Sequence, residues 1–280
     1  MILSGSAKLA GVMGWPIGHS RSPRLHGHWL DRYGIDGAYV PLAVAPENLD
    51  TALRALPALG FRGVNLTLPH KEAAVDICDA VTEQARRIGA VNTIVVGDDG
   101  QLQGSNTDAY GFVENLTQGS GWQPADGPVV LLGAGGAARG LAVALVDAGV
   151  SELRILNRTQ ARAESLAADI GQAASVVAWQ DRTDALAGAA LLVNSTTLGM
   201  VGQPPLDLDL THLSAGAVVN DIVYAPLETP LLAGAKARGN PIVDGLGMLL
   251  YQAQPGFEAW FGTRPEVDTA LRDFVLADLD

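Results

Sequence analysis

The residues best suited to chemistry lie in the run Asn-Leu-Thr-Leu-Pro-His-Lys at 65–71 and in Asn-Thr-Asp at 106–108. If 63–68 is a strand, Asn65 and Thr67 share one face while Leu66 and Leu68 share the other. Two polar side chains on one side of an apolar strand end read as ligand contacts, and Lys71 follows at once, where its ammonium can enter the same cleft. A lone lysine is ordinarily a solvated charge, and Asp108 alone could merely cap the helix it begins. Facing each other across a cleft, a lysine and an aspartate form a proton-transfer pair suited to interconverting an alcohol and a ketone.

Three further polar groups are candidates for the same cleft. In the stretch 14–23, Gly-Trp-Pro-Ile-Gly-His-Ser-Arg-Ser-Pro, Ser20 and Ser22 flank an arginine just before a helix start, so hydroxyls and free N–H groups could converge on a carboxylate. Ser22 before Pro23 also reads as an ordinary N-cap, whereas Ser20 has no such structural reason. Asn92 lies in Gly-Ala-Val-Asn-Thr at 89–93, an element edge beside glycine and threonine. Gln252 falls inside an apolar helical stretch, where a buried amide needs partners that substrate hydroxyls could supply.

A separate region reads as a phosphate cradle. Residues 129–139, Val-Val-Leu-Leu-Gly-Ala-Gly-Gly-Ala-Ala-Arg, are a short apolar run that breaks into glycines and resumes as an alanine-rich helix. Gly133, Gly135 and Ala138 fit G-x-G-x-x-[GA], with Ala134, Gly136 and Ala137 completing the turn. Glycines admit a dinucleotide pyrophosphate close to the backbone, and the helix N-terminus attracts its charge. About twenty residues further on, where the adenosine ribose is read, stand Asn157, Arg158 and Thr159, with Arg162 one turn later and no carboxylate. A carboxylate would accept from the ribose hydroxyl of NAD and repel a 2′-phosphate; the arginines can pair with that phosphate, so the cofactor expected is NADP. The loops 194–200 and 221–226, with Thr196, Ile222 and Tyr224, end strands and so belong in the crevice beside the nicotinamide; the stretch 245–252 is a further candidate, with Gly245 expected to bind cofactor.

These groups must be held by an α/β chain. The patterning predicts strands at 10–14, 38–44 and 63–68 with helices over 22–33, 46–59 and 69–80, then a hairpin of 90–96 and 101–104 around Asp-Asp-Gly. A helix over 108–116 and the Gly- and Pro-rich loop 119–127 suggest a junction. Beyond it, strands at 129–132, 153–156, 175–178, 191–193, 217–222 and 241–243 alternate with helices that include 160–170 and 230–237, which implies a doubly wound parallel sheet. The C-terminal segments 247–261 and 265–279 read as helical, and periodicity alone leaves open whether they return to the first domain.

Composition sets the limits. A chain of 280 residues is long for one domain and comfortable for two. The net charge of −12, with 18 Lys and Arg among 30 acids, argues against nucleic acid. No run approaches the roughly 18 apolar residues of a membrane span, and the opening residues lack the apolar core of a secretory signal, so no membrane association is expected. The single Cys78 has no disulfide partner, and His26, His28, His70 and His212 lack metal spacing; the expectation is a cytoplasmic protein without a metal.

Taken together, the motifs Gly-x-Pro-Ile-x-His-Ser-x-Ser-Pro, Asn-x-Thr-x-Pro-x-Lys, Gly-Ala-x-Asn-Thr, Asn-Thr-Asp, Gly-Ala-Gly-Gly-Ala-Ala-Arg, Asn-Arg-Thr and Gly-x-x-Met-Leu-x-x-Gln-Ala, in this order from Gly14 to Ala253, resemble the shikimate/quinate dehydrogenase family. The resemblance implies reversible NADPH-dependent reduction of 3-dehydroshikimate to shikimate, in aromatic amino acid (chorismate) biosynthesis. It also implies an N-terminal α/β substrate domain and a Rossmann-like NADP-binding domain, with the C-terminal helices returning to the first: 1–107 with 245–280, and 108–244. Ser20 and Ser22 would then bind the substrate carboxylate, and Asn65, Thr67, Asn92, Tyr224 and Gln252 its ring substituents. Lys71 would handle the proton and Asp108 orient substrate and lysine, in a monomer or homodimer whose substrate lies between two domains. Two positions depart from the pattern: Gly27, where Asn is frequent after the histidine, and Ala225, where Tyr-Asn-Pro is common. The alternatives are a quinate/shikimate dehydrogenase preferring NAD, disfavoured by Arg158 and the paired serines, and a non-catalytic ligand-sensing relative, disfavoured by the intact Lys71 and Asp108.

Overall fold

In the computed structural model, which describes residues 2–277, the chain forms two six-stranded sheets in two units, Met1–Asp108 with Gln252–Asp280, and Ala109–Tyr251. The first unit opens with β1 (Lys8–Gly14), α1 (Ser22–Arg32), β2 (Gly37–Ala43), α2 (Leu49–Ala55) and β3 (Phe61–Leu66). It continues with α3 (Ala74–Ile77), β4 (Ala80–Val81), α4 (Glu83–Ile88) and the hairpin β5 (Thr93–Val96) and β6 (Leu102–Ser105). The sheet runs β2-β1-β3-β5-β6-β4, parallel across β2-β1-β3 and antiparallel through the hairpin. Met13, Leu53, Val64, Leu66, Ile94 and Leu102 make one core beneath it, and each such side chain, fully buried, contributes about 1.5–3 kcal/mol.

The second unit follows α5 (Asp108–Ser120) with β7 (Val129–Leu132), α6 (Gly136–Asp147), β8 (Leu153–Leu156), α7 (Gln160–Ile170), β9 (Ala174–Val176) and β10 (Leu191–Asn194). Then come β11 (Val218–Asp221), α8 (Pro230–Ala237), β12 (Ile242–Val243) and α9 (Leu246–Tyr251). All strand pairs are parallel in the order β12-β11-β10-β7-β8-β9, a doubly wound Rossmann-like sheet whose order reverses between β7 and β10. Its central strands read Val-Val-Leu-Leu, Leu-Leu-Val-Asn and Val-Val-Asn-Asp and are buried throughout, as a sheet covered on both faces requires.

The C-terminal α10 (Ala253–Phe261) and α11 (Thr269–Leu276) belong to the first unit. Trp260 Nε1 on α10 donates to Ile94 O on β5 at 3.0 Å, and Arg24 on α1 donates to Phe274 O on α11 at 3.0 and 3.1 Å. Several predicted helices are shorter than expected. The helix over 46–59 becomes a 3-10 turn, Pro46–Asn48, and α2, because Pro57 has no N–H to carry the helix on. Only Ala74–Ile77 of 69–80 is helical, its end joining the sheet as β4. The stretch 247–261 divides at Gln252, since Pro255 has no N–H to donate and clashes with the carbonyl four residues back. The helix expected from 265 begins at Thr269, capped by Asp268, and its expected end at Leu279 lies outside the described residues.

Candidate active site

Strand β3 ends at Leu66, and the chain then turns so that Lys71 meets the start of α5. Lys71 Nζ donates to Asp108 Oδ2 at 2.6 Å, with both side chains about a quarter exposed. Asn92 Nδ2 donates to the other oxygen, Asp108 Oδ1, at 2.9 Å. The Asn92 amide can point only this way. Its Oδ1 accepts from the Thr107 backbone N–H at 2.7 Å and the Thr93 hydroxyl at 3.0 Å, so the NH2 group must turn toward Asp108. Gln252, the residue before α10, brings its Oε1 to 3.5 Å from the same Asn92 Nδ2. Gln252 therefore stands at a helix break, not inside one helix as the sequence suggested.

The serine stretch differs from the expected cap. Arg21 is the N-cap of α1 and Ser22 its first residue, with no side-chain cap. Ser20 Oγ accepts from Ser22 N at 3.3 Å, which gives Ser20 a turn-forming role. Thr67, just past β3, is half-buried and its hydroxyl has no partner among the described residues. Asn65 is buried and committed to the protein: Oδ1 accepts from the Tyr39 hydroxyl at 2.6 Å, while Nδ2 donates to Thr93 Oγ1 at 2.9 Å and Asn92 O at 3.1 Å. Thr93 and Thr107 lie inside the motifs Gly-Ala-x-Asn-Thr and Asn-Thr-Asp but were not singled out there, while Tyr39, a polar-tipped aromatic on a strand, lies outside every motif. Burial pushes the Tyr39 phenol well above its ordinary range, so it stays protonated and donates to Asn65.

The second unit gathers the glycine turn, the arginines and Thr196 at the carboxyl ends of β7, β8 and β10. Gly133, at φ +114°, carries the chain past β10, where a side chain would lie 2.5 Å from Ser195 Oγ. Gly135, the N-cap of α6, and Gly136 are exposed with open space where a side chain would stand, the clearance a pyrophosphate needs. Ala134 is half-buried and Ala137 exposed on the same turn, while Ala138 packs inward. At the end of β8, Asn157 Nδ2 donates to Thr159 O at 2.8 Å and closes the turn. Arg158 and Arg162 are exposed with no ion pair among the described residues, and no acid stands beside them on that turn. This donor set fits a 2′-phosphate.

The loops after β10 and β11 are pinned by a buried carboxylate. Asp221 accepts from Asn194 Nδ2 at 3.1 Å, Val223 N at 3.1 Å and Thr229 Oγ1 at 2.8 Å, and burial pushes its pKa up against these three bonds. Asn194 Oδ1 in turn holds Thr196 through its N–H at 3.0 Å and its hydroxyl at 2.7 Å. Ile222 and Tyr224 follow half-buried on the β11 loop, and Gly245 packs so tightly that a side chain would meet Ile222 O at 2.2 Å. Tyr224 thus belongs to the unit of the glycine turn, whereas the other expected substrate contacts belong to the first. Among the described residues no cluster of acids, histidines or cysteines could hold a metal ion, and no helix is long and apolar enough to cross a membrane.

The known proteins that this chain is similar to decide its affiliation. The family model for the shikimate dehydrogenase substrate binding domain matches residues 12–94, that for shikimate / quinate 5-dehydrogenase residues 119–199, and that for the shikimate 5′-dehydrogenase C-terminal domain residues 245–272. The shikimate dehydrogenase (NADP(+)) of Paramagnetospirillum magneticum is 64% identical over 276 residues, 98% of this chain and 100% of that protein. The chain belongs to the shikimate dehydrogenase family. Among solved family structures, the shikimate 5-dehydrogenase of Thermus thermophilus in complex with NADP(H) and shikimate is 38% identical with a TM-score of 0.84, covering 96% of this chain and 99% of that one. The quinate dehydrogenase of Corynebacterium glutamicum in complex with NAD is 34% identical with a TM-score of 0.89, covering 97% and 99%. Ser20, Ser22, Asn65, Thr67, Lys71 and Asn92 all fall within the family's substrate-binding model, while Asp108 lies between the matched segments.

Proposed function

We propose that this family member catalyses the reversible reduction of 3-dehydroshikimate to shikimate, with the first unit as substrate domain and the second as NADP domain. The chemistry that NADPH would supply when bound is a hydride for the carbonyl carbon. Lys71 Nζ delivers the proton to the carbonyl oxygen and takes it back in the oxidative direction. Asp108, fixed through one oxygen by Asn92, holds the lysine in register through the other and accepts from a neighbouring substrate hydroxyl. Ser20 and Ser22 bind the carboxylate; Thr67, Asn92, Gln252 and Tyr224 bind the ring substituents. Asn65 acts one step back, since its amide is already spent on Tyr39, Thr93 and Asn92. Gly133, Ala134, Gly135, Gly136 and Ala137 would hold the pyrophosphate; Asn157, Arg158, Thr159 and Arg162 would read the 2′-phosphate; Thr196, Ile222 and Gly245 would flank the nicotinamide. The unpaired Cys78 thiol, pushed up to about 11 by burial, suits the reducing cytoplasm as the site of action.

The observation that carries this reading is the Lys71–Asp108 pair at 2.6 Å, anchored by Asn92, in a chain 64% identical to an NADP-dependent shikimate dehydrogenase. The test is a spectrophotometric assay of shikimate and quinate oxidation with NADP+ and NAD+. Rapid turnover of shikimate with NADP+ is expected, and Lys71→Ala should lower kcat by roughly 10²–10⁴-fold while substrate binding largely survives. Near-wild-type turnover in that variant removes Lys71 from the proton step; quinate oxidation with NAD+ at an equal rate favours the quinate reading.

A further inference from the structure

Asn194 and Asp221 end the neighbouring parallel strands β10 and β11, directly opposite each other in register, and both are fully enclosed. The Asn194 NH2 group donates to Leu198 O at 3.1 Å and to Asp221 Oδ1 at 3.1 Å. A backbone carbonyl can only accept, so the amide has one orientation and its Oδ1 faces the loop. There it accepts from the Thr196 N–H at 3.0 Å and the Thr196 hydroxyl at 2.7 Å, while Thr196 Oγ1 accepts from Leu198 N at 3.1 Å. The residue between them is tied in another direction. Ser195 Oγ donates to Leu132 O, at the end of β7, at 2.7 Å, and a side chain on Gly133 would meet Thr196 Cγ2 at 3.3 Å. The loop after β10 is thus fastened on one side to the glycine turn and on the other, through Asn194, to a buried carboxylate that no step of the reaction uses.

We propose that Asn194 and Asp221 are positioning residues that set the distance between the pyrophosphate turn and the loop beside the nicotinamide, through bonds made wholly within the protein. This inference rests on the reading of the second unit as the NADP domain. The Thr196 hydroxyl proton is already given to Asn194, so what Thr196 offers a cofactor depends on where its loop stands and not on a hydroxyl donor. Asp221 also accepts from Val223 N and Thr229 Oγ1, so one carboxylate holds the loops after β10 and β11 together. Without the Asn194 amide, the Thr196 N–H and hydroxyl lose their acceptor and the loop loses its tie to β11, while the strands keep the bond from Ile222 N to Asn194 O at 3.1 Å.

Asn194→Ala makes this change. Fluorescence titration of the purified variant should show the Kd for NADPH raised about tenfold. Adenosine 2′,5′-bisphosphate, which carries the 2′-phosphate and no nicotinamide, should bind within about threefold of the parent by calorimetry. Asp221→Ala should weaken NADPH by a similar factor. Asp221→Asn, whose amide presents an oxygen to Asn194 and Val223 and an N–H to Thr229 Oγ1, should recover most of that affinity. The two alanine substitutions together should exceed either alone by less than about threefold, because residues acting through one chain of bonds are not additive. A structural role alone would lower the thermal midpoint and leave the ratio of the two Kd values unchanged. An unaltered NADPH Kd, equal weakening toward NADPH and the bisphosphate, full additivity, no recovery in Asp221→Asn, or loss of cooperative unfolding in both alanine variants each overturns the proposal. A parent protein that binds neither ligand instead overturns the assignment of the second unit on which it rests.

Discussion

His26 is enclosed by Trp29, Tyr39, Phe257 and Trp260, and neither ring nitrogen has a hydrogen-bond partner among the described residues. Burial lowers its pKa from 6.5 to about 3, so the ring is neutral in the folded protein. In the unfolded chain the same ring binds a proton below its ordinary value. The unfolded state therefore holds more protons as pH falls from 6.5 toward 3, and stability is lost across that window and complete above it. By pH 5 the loss from this residue is about 2 kcal/mol. His26→Phe retains a flat ring against Tyr39, removes two partnerless nitrogens and abolishes the titration. Urea unfolding of the variant should give stability at least equal to the parent at pH 7, and a lead larger by about 2 kcal/mol at pH 5. Parallel curves at the two pH values would assign the acid sensitivity to other groups. Asp268 adds to it in the same direction: bonds from Leu271 N and Arg32 hold its pKa low, so its contribution is present above the ordinary carboxylate range and is lost as pH falls through the lowered value.

At the scale of elements, α1 links the serine loop to the core. Its buried face, Leu25, His26, Trp29 and Leu30, follows helical spacing, and Arg32 ties its end to Glu266 and Asp268 at 3.1 and 2.6 Å. The departure at Gly27 falls on its exposed face, where a side chain would meet nothing within 4 Å. Glycine inside a helix is destabilising by roughly 0.5–1 kcal/mol relative to alanine, so Gly27→Ala should raise the unfolding free energy by about that amount and leave turnover unchanged. A destabilised variant would mean the exposed face carries a contact that the fold does not show. Helix existence was legible wherever the period ran long, as in α7 and α8, whose bounds coincide with the predicted ones. It failed at α4, six residues without a visible period, and at Pro57 and Pro255, where one missing N–H outweighed an apolar run.

At the scale of the molecule, the first unit is built from both ends of the chain. Trp260 is fully enclosed and its indole N–H donates to Ile94 O at 3.0 Å, across 166 residues of sequence. Trp29 Nε1 reaches Glu266 O at 3.0 Å in the same way. The last helices thus complete the core on which β1 and β3 rest. Trp260→Ala should cost about 3–5 kcal/mol, a value set by the large side chain removed and the cavity it leaves. Native-state hydrogen exchange should then show faster opening at Val64 and Leu66 while Val130 and Leu131 in β7 keep their protection. Equal acceleration in both sheets would mean that the two units unfold as one.

The local choices were written in the sequence: the buried parallel strands, the glycine turn with its arginines, and the polar strand end before Lys71, because each depends on residues within a few positions of one another. The contact that makes the expected pair of Lys71 and Asp108, the orientation of the Asn92 amide, the inward commitment of Asn65 and the place of Tyr39 were decided only by the tertiary structure. Those depend on which donor reaches which acceptor across 15 to 37 residues of chain, and a hydrogen bond is settled by tenths of an ångström that spacing along the sequence does not specify.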